Sequence, residues 1–287
     1  MKALVIGASG QLGQDLLRAL GHSALGVTHG QVDVTDGLSV LQLMQAYRPD
    51  WVLNTAAFHR VDDCEVNCAL AMAVNAIGAF NVARASADVG ARHVFFSTDY
   101  VFGGGPTRWR GMPWLESDTP SPLNVYGTSK LAGEQLVRQA CPTALVIRSS
   151  GLYGRSTSRK GWTFPDLMLE LARTQGTVRV VDDQVLSPTS TADLADWTVR
   201  LMNDGTSGVV HATNSGECSW FEFAAATFAF TGTAVTLQSQ STTDTARRAR
   251  RPSYSALASS RLVQPMRPWQ DALSDYLRQK TERAAIG

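Results

Sequence analysis

Residues 3–13 read ALVIGASGQLG, an apolar run followed at once by a glycine-rich turn. The first four of these residues predict a short strand buried on both faces, and Leu16, Leu17 and Leu20 then follow the period of a helix. A strand, a glycine turn and a helix in this order are typical of the first unit of a dinucleotide-binding fold. The sequence therefore predicts a nucleotide phosphate site at its start.

Each glycine of this turn has its own expected role. Gly7 permits the tight turn, Gly10 lets the backbone approach a pyrophosphate, and Gly13 lets the helix pack closely on the strand. The first N–H groups of the helix would then bind the phosphates. A purely structural connection can have the same sequence, so the turn alone leaves both interpretations open. The predicted cofactor contacts are Gly7, Ser9, Gly10, Gln11, Leu12 and Gly13.

A second pattern combines a phenol with an ammonium group four residues further on, at Tyr126 and Lys130. One helical turn puts the two side chains on the same face, where the cation favours a phenolate. Lowering the tyrosine pKa by about 2 to 3 units would make it a proton donor at neutral pH. Such pairs also occur by chance on solvated helix faces. Together with a nucleotide site, however, the pair indicates redox chemistry at a carbonyl.

The composition agrees with an enzyme. The 287 residues are 44% apolar and 18% charged, with a net charge of +1. A near-neutral balance disfavours a nucleic-acid partner, and no apolar run reaches the length of a membrane span, so we expect neither partner and a cytoplasmic location. The four cysteines, Cys64, Cys68, Cys141 and Cys218, are scattered and predict reduced thiols and no metal site.

Strands and helices alternate along the first half of the chain. This alternation predicts an α/β fold with a Rossmann-type, doubly wound parallel sheet. After residue 148 the alternation loosens, which predicts a smaller C-terminal α/β lobe for the substrate. We expect the dinucleotide-binding domain at 1–148, joined by part of 183–212, and the substrate lobe at 149–182 and 213–287. Residues 238–245 are polar enough to predict a loop.

Five stretches together resemble the dTDP-4-dehydrorhamnose reductase family, within the extended or atypical short-chain dehydrogenases/reductases. They are NTAA at 54–57, STDYVF at 97–102, PLNVYGTSKLAGE at 122–134, DQ at 183–184 with SPT at 187–189, and RP at 251–252 with Ser255. The resemblance spans nearly the whole chain, and its two central strings are specific. It implies NADPH- or NADH-dependent reduction of the C4 ketone of a dTDP-4-keto-6-deoxyhexose, with dTDP-4-dehydrorhamnose and dTDP-L-rhamnose as the expected substrate and product.

The resemblance and the residue chemistry agree on three catalytic side chains. Tyr126 would donate a proton to the ketone oxygen, while Lys130 would stabilise the phenolate and bind the nicotinamide ribose. Thr98 lies just past a predicted strand, at the carboxyl edge where open α/β sheets bind ligands, and its hydroxyl would hold the same oxygen. The alternative for Thr98 is an ordinary hydroxyl that caps a turn.

The adenosine side of the cofactor is less sharply defined. Asp33 and Val34 match the family's adenine-side pair, and they would border the adenosine without excluding NADPH. Ala56, Ala57 and Phe58 would form the wall beside the adenosine and pyrophosphate, although the alanines also suit plain close packing. No acidic residue directly ends the second predicted strand, so the choice between NADH and NADPH stays open.

The substrate contacts are expected at Thr98, Val101, Trp162 and Arg251. Arg251 lies in a run of four arginines within 247–251, and its guanidinium suits the diphosphate of a nucleotide sugar. The same run could instead be a solvated loop. Trp162 is a candidate wall of the sugar-nucleotide pocket, with burial in the core as the alternative.

Three segments depart from the family's usual pattern, GWTF at 161–164, GGG at 103–105 and PWLE at 113–116. They leave open which sugar is reduced and which face receives the hydride, so a related nucleotide-sugar 4-ketoreductase of another stereochemistry is one alternative. Another is a non-catalytic NADP-binding protein resembling the regulatory subunit of methionine adenosyltransferase. Some family members dimerise with Mg²⁺, and for this chain a homodimer and Mg²⁺ are expected by analogy alone.

Overall fold

The computed structural model describes residues 1–155 and 162–284. Two segments of the expected substrate lobe lie outside the described residues, 156–161 and 285–287. The first includes Gly161, which begins the GWTF segment. The strands are β1 (Ala3–Ile6), β2 (Ala24–Val27), β3 (Trp51–Asn54), β4 (Arg92–Thr98), β5 (Leu145–Ser149), β6 (Leu152–Tyr153), β7 (Thr177–Val181), β8 (Val185–Leu186), β9 (Thr189–Ser190), β10 (Gly208–His211), β11 (Asn214–Ser215), β12 (Cys218–Ser219), β13 (Thr236–Gln240) and β14 (Met266–Pro268). The α-helices are α1 (Gln11–Leu20), α2 (Gly37–Tyr47), α3 (Val61–Val66), α4 (Cys68–Met72), α5 (Ala79–Asp88), α6 (Val125–Ala140), α7 (Phe164–Thr174), α8 (Thr191–Asn203), α9 (Trp220–Thr231) and α10 (Trp269–Ala284), with a π-helical turn, Ala73–Gly78, between α4 and α5.

The central sheet has six parallel strands in the order β10-β5-β4-β3-β1-β2. Every residue of β1 and β3 is buried, which explains their unbroken apolar runs. The chain runs from β1 outward to β2 and then returns to β3 on the other side of β1, so the topological switch point lies between β1 and β3. The expected doubly wound α/β fold is confirmed.

Helices cover both faces of this sheet. On one face, Leu12 and Leu16 of α1 and Leu194 of α8 join the core cluster of β1 and β5. On the other face, α2 and α5 pack over β1 and β3 through residues such as Val40 and Val82. Segment 183–212 contributes α8 to this layer and β10 to the sheet.

The remaining elements form a smaller group around α7, α9 and α10. An aromatic cluster holds them together, with members Tyr153, Phe164, Trp220, Phe223 and Trp269. Strand β13 pairs in parallel with β7 at its edge. The predicted loop at 238–245 is therefore wrong for residues 238–240, which belong to β13. This strand is polar and largely exposed, so it has no apolar period from which to recognise it.

One helical stretch, 68–88, is long and apolar enough to cross a membrane by length and composition. The expectation that no run reaches that length is corrected on this point. About half of its length faces the protein interior, where Ala71, Ala76 and Val82 are fully buried. Its apolar character is that of a helix packed against the sheet and α6.

Candidate functional site

The glycine turn after β1 is closely packed on its inner side. A Cβ on Gly7, whose φ is +82°, would lie 2.6 Å from the Thr55 Oγ1, and one on Gly13 would lie 2.6 Å from the Gly7 carbonyl oxygen. A Cβ on Gly10 would meet only that same carbonyl, at 3.1 Å. Gly7 and Gly13 therefore have no room for a side chain. Gly10, by contrast, leaves the backbone of the turn accessible from outside. This geometry fits the pyrophosphate of a dinucleotide.

The residues between these glycines are placed differently from one another. Ser9 is exposed, and Gln11 turns its amide toward the Gly154 carbonyl at 3.3 Å. Leu12 is buried in the core, so only its backbone N–H can face a phosphate. Six residues after the end of β2, Asp33 accepts the Thr35 N–H at 2.9 Å, and this bond lowers the pKa of its carboxyl.

The wall after β3 is held by a buried amide that sequence reasoning missed. Asn75, in the π-helical turn, accepts the Phe58 N–H at 2.8 Å and donates to the Phe58 carbonyl at 3.0 Å. Its amide also donates to the Ser129 hydroxyl at 2.9 Å. Ala56 and Ala57 lie half-buried just before Phe58. One side chain therefore joins the expected cofactor wall to α6. A polar amide within an alanine-rich helical stretch was the available signal.

Helix α6 begins beside the carboxyl edge of the sheet. Asn124 caps it by accepting the Gly127 N–H at 2.8 Å. A Cβ on Gly127 would lie 2.1 Å from the Tyr100 carbonyl oxygen, and one on Gly133 would lie 2.3 Å from the Asn75 carbonyl oxygen. These glycines let α6 lie directly on backbone, which fixes Tyr126 in its first turn and Lys130 in its second.

The electrostatics of the Tyr/Lys pair differ from the expectation. Burial raises the pKa of Tyr126, the Asp99 charge adds to the rise, and a hydrogen bond with Thr98 opposes it. The predicted lowering of this pKa is therefore wrong for the protein in this structure. Burial also lowers the pKa of Lys130 to about 7, against the charge of Glu134. The Lys130 ammonium lies 4.0 Å from the centre of the Phe95 ring.

A buried ion pair anchors α6 to the sheet. The Glu134 carboxylate accepts two bonds from the Arg148 guanidinium, at 2.9 and 2.7 Å, and a third from the Ser97 hydroxyl. Glu134 and Arg148 are 1% and 3% exposed, so removal of either would leave a buried charge unpaired. Their distance along the chain explains why the sequence did not reveal the pair.

Thr98 ends β4 next to Tyr126. Its Oγ1 donates to the Asp99 carboxylate at 3.0 Å and accepts the Tyr100 N–H at 3.2 Å, so it caps a short 3₁₀ turn in addition to contacting the phenol. Asp99 also accepts bonds from Ser150 and Ser255, yet burial still raises the pKa of its carboxyl to about 6. Asp99 was missed as a site residue although it lies inside the STDYVF string.

The expected substrate residues are not all brought together. Val101 is fully buried with Phe102, so its side chain is core, whereas Trp162 is half-exposed at 50%. Arg251 lies near the phenols: its guanidinium is 5.9 Å from the Tyr100 ring, which in turn lies 6.0 Å from the Tyr126 ring.

The Arg251 guanidinium is itself buried and paired. It donates to the Asp62 carboxylate at 2.9 Å and to the Ala249 carbonyl at 3.2 Å. The other Asp62 oxygen accepts the backbone N–H groups of Arg248 and Ala249. The arginine run is thus a loop folded onto α3, and Arg251 is its one inward-facing guanidinium.

Within 1–155 and 162–284, no group of three or more His, Cys, Asp or Glu side chains is arranged to hold a metal ion. The four cysteines are free; Cys64, Cys141 and Cys218 are buried, whereas Cys68 is exposed, against the expectation of buried thiols throughout.

Comparison with known proteins gives a consistent result. The family model described as RmlD substrate binding domain matches residues 1–282. The spore coat polysaccharide biosynthesis protein SpsK of Bacillus subtilis is 39% identical over 98% of each chain. The dTDP-4-dehydrorhamnose reductase of Streptomyces griseus is 39% identical over 95% of this chain and 91% of its own. The solved structure of dTDP-4-dehydrorhamnose reductase from Bacillus anthracis, in complex with NADP, superposes with a TM-score of 0.91 at 36% identity, covering 97% of this chain and all of the other.

Proposed function

We propose that this chain, which belongs to the dTDP-4-dehydrorhamnose reductase family and is an NAD(P)H-dependent oxidoreductase, reduces the C4 ketone of dTDP-4-dehydrorhamnose to give dTDP-L-rhamnose. The observation that carries the proposal is the meeting of Tyr126 and Thr98 at the carboxyl edge of the sheet. The glycine cradle at the switch point of the same sheet edge supports it.

The cofactor, when bound, supplies the hydride. Gly7, Gly10 and the first turn of α1 would bind its pyrophosphate, and Lys130 its nicotinamide ribose. Tyr126 has a raised pKa, so its phenol is protonated at neutral pH and can give that proton to the ketone oxygen. Thr98 would hold the same oxygen in place.

Charge balance in this buried site depends on Lys130. A phenolate left on Tyr126 after proton transfer is costly away from water, and a nearby ammonium lowers that cost. Burial brings the pKa of Lys130 to about 7, so the lysine is poised between its two charge states at neutral pH. A negative charge forming beside it would favour the cation. We therefore assign Lys130 the stabilisation of the phenolate. Arg251, whose guanidinium lies 5.9 Å from the Tyr100 ring beside Tyr126, is assigned to the substrate diphosphate.

Product analysis tests the proposal. The purified chain is mixed with dTDP-4-dehydrorhamnose and either NADPH or NADH, and the sugar nucleotide is isolated and its C4 configuration determined by NMR. We expect dTDP-L-rhamnose. A product epimeric at C4 would mean a related 4-ketoreductase, and cofactor binding without product would favour the regulatory-subunit alternative. The cytoplasmic location, the homodimer and Mg²⁺ stay predictions.

A further inference from the structure

Residues 103–112, here called the strap, lie between β4 and α6 and contact the group of elements around α9. The strap leaves the sheet five residues after Thr98 and begins at Gly103, whose φ is +120°. A Cβ on Gly103 would lie 2.8 Å from the Pro252 Cβ, so this end of the strap rests on the residue after Arg251. A second left-handed glycine, Gly111 with φ +79°, lies near the other end. Two glycines of this kind give the strap backbone freedom at both ends.

The far end of the strap is held by carboxylates near the start of α9. The Arg110 guanidinium makes a bidentate pair with Glu222, at 3.1 and 2.6 Å. The Gly111 N–H donates to the Glu217 carboxylate at 2.9 Å. The strap therefore runs from the sheet edge that carries Thr98 to the carboxylates near the start of α9, a helix of the expected substrate lobe.

Inside the strap, Arg108 pairs with Asp118 at 2.6 Å and lies 4.2 Å from the Trp114 ring, and these contacts tie the strap to the segment that follows it. Apolar burial contributes little to holding the strap against α9. Its two large apolar side chains, Trp109 and Met112, are 69% and 52% exposed. The Arg110–Glu222 pair is also about half exposed on both sides. Because solvent and salt screen such pairs, this contact shifts an equilibrium only a few-fold. The bond from Arg110 lowers the pKa of Glu222 to about 2, so near neutral pH the pair responds to salt and not to protons.

We propose that the strap is a gate over the sugar-nucleotide cleft and that the Arg110–Glu222 pair is the latch that holds it closed. The inference rests on the proposed function, because that function puts the substrate between Thr98, Arg251 and the α9 lobe. The strap joins these same places. A weak, exposed latch suits a gate, since the strap must open in every turnover to admit substrate and release product.

Two single variants remove the latch while keeping the rest of the chain intact. Arg110→Gln removes the cation. Glu222→Gln removes the anion but keeps the capping box of α9, because glutamine also bonds the Ser219 backbone N–H. The matched control is Arg173→Gln, which breaks an exposed bidentate pair with Glu170, at 3.0 and 2.7 Å, within α7.

Binding of dTDP to the NADPH-loaded protein is measured by titration calorimetry, and hydrogen exchange of the strap amides is followed in parallel. We expect each latch variant to weaken dTDP binding about two- to fivefold, the size of an exposed ion pair, and the double variant to weaken it no further. Strap amides should exchange faster in both variants, and dTDP should slow their exchange in the wild type. The control should match the wild type in every respect.

Salt provides an independent readout. Raising ionic strength from about 0.05 to 0.5 M should weaken dTDP binding more in the wild type and control than in the latch variants, because only the former still have a latch to screen. Wild-type affinity and wild-type strap exchange in both variants would overturn the gate, and so would faster exchange without any change in dTDP affinity. If the wild type binds no dTDP, the proposed function fails together with the gate. Normal reduction of dTDP-4-dehydrorhamnose, together with latch variants that match the wild type in dTDP affinity and strap exchange, overturns the gate alone.

Discussion

At the scale of single residues, burial acts on Tyr126 and Lys130 in opposite directions. It raises the pKa of the phenol and lowers that of the ammonium, so both groups are driven toward their neutral forms. Lys130 is 2% exposed, and its ammonium faces an aromatic ring. The site therefore holds an ionisable amine where the fold alone would favour an apolar side chain, a cost that function explains.

This cost predicts the effect of Lys130→Met on stability. An unfolded lysine titrates near pH 10.4, whereas the folded Lys130 has a pKa of about 7. Between these values the unfolded state binds more protons, so wild-type stability contributed by this residue rises with pH across that window. The cofactor-free variant should be more stable than the wild type at pH 7, and this difference should fall by about 3 kcal/mol toward pH 10. Denaturant unfolding at several pH values measures it, and a variant less stable at pH 7 would refute the account.

The proton donor is tested by Tyr126→Phe. Turnover should fall by a factor of about 10² or more, the usual scale of general acid catalysis, while NADPH affinity stays unchanged. The matched control is Tyr153→Phe, because the Tyr153 hydroxyl is buried without a hydrogen-bond partner among the described residues. That control should keep wild-type turnover. Steady-state kinetics decide the matter, and normal turnover by Tyr126→Phe would remove Tyr126 from the mechanism.

Arg251 is the residue on which the substrate contact depends. Arg251→Met should raise the Michaelis constant of the sugar nucleotide by the equivalent of about 1.5 to 3 kcal/mol, the range for a bond to a charged group, with the NADPH constant little changed. Arg247→Met, on an exposed neighbour, should change it by about 0.5 kcal/mol or less. A larger effect at Arg247 than at Arg251 would mean that the wrong arginine has been assigned.

The sequence predicted those site residues whose role can be recognised within one short segment. The glycine turn and the Tyr/Lys spacing each lie within one short segment, and chemistry follows from the residue types. Asn75 and the Glu134–Arg148 pair escaped because their partners are far along the chain. The direction of the Tyr126 pKa was mispredicted for the same reason, since it depends on burial and on Asp99.

At the scale of elements, the placement of α6 depends on its two glycines. Gly→Ala in a helix is usually stabilising, but a Cβ on Gly133 would meet the Asn75 carbonyl oxygen at 2.3 Å. Gly133→Ala should therefore destabilise the protein by about 1 to 3 kcal/mol, because helix and π-helical turn must move apart. The control is Gly176→Ala, where a Cβ would meet nothing within 4 Å. Thermal denaturation of both variants compares them, and a neutral Gly133→Ala would contradict the close packing.

Elements were predictable where one face or both faces are apolar. The strands of the central sheet carry apolar runs because helices cover both sides, and their helices show the matching period. Strand β13 was mistaken for loop at 238–240 because its pairing with β7 uses backbone groups, while its side chains are polar. Backbone pairing of that kind leaves no pattern in the sequence.

Across the whole molecule, we assign the cofactor to the sheet edge at the switch point, and the sugar nucleotide to the space between that edge and the α9 lobe. The first assignment depends on β1 and the turn after it, which the sequence contains as one segment. The second depends on loops from distant parts of the chain, such as the strap and the arginine loop, which meet where Gly103 lies against Pro252. No single segment of the sequence encodes that contact. The boundaries of the two lobes stay a prediction.

Hydride transfer to C4 of a dTDP-bound sugar can be followed with an isotope. The chain is given dTDP-4-dehydrorhamnose and NADPH that carries deuterium at both C4 positions of the nicotinamide ring, and the product is examined by mass spectrometry and NMR. The account predicts one deuterium per nicotinamide oxidised, located at C4 of the sugar, and almost none in the same time with Tyr126→Phe. A folded wild-type protein that binds NADPH yet leaves the ketone unlabelled and unreduced would contradict it.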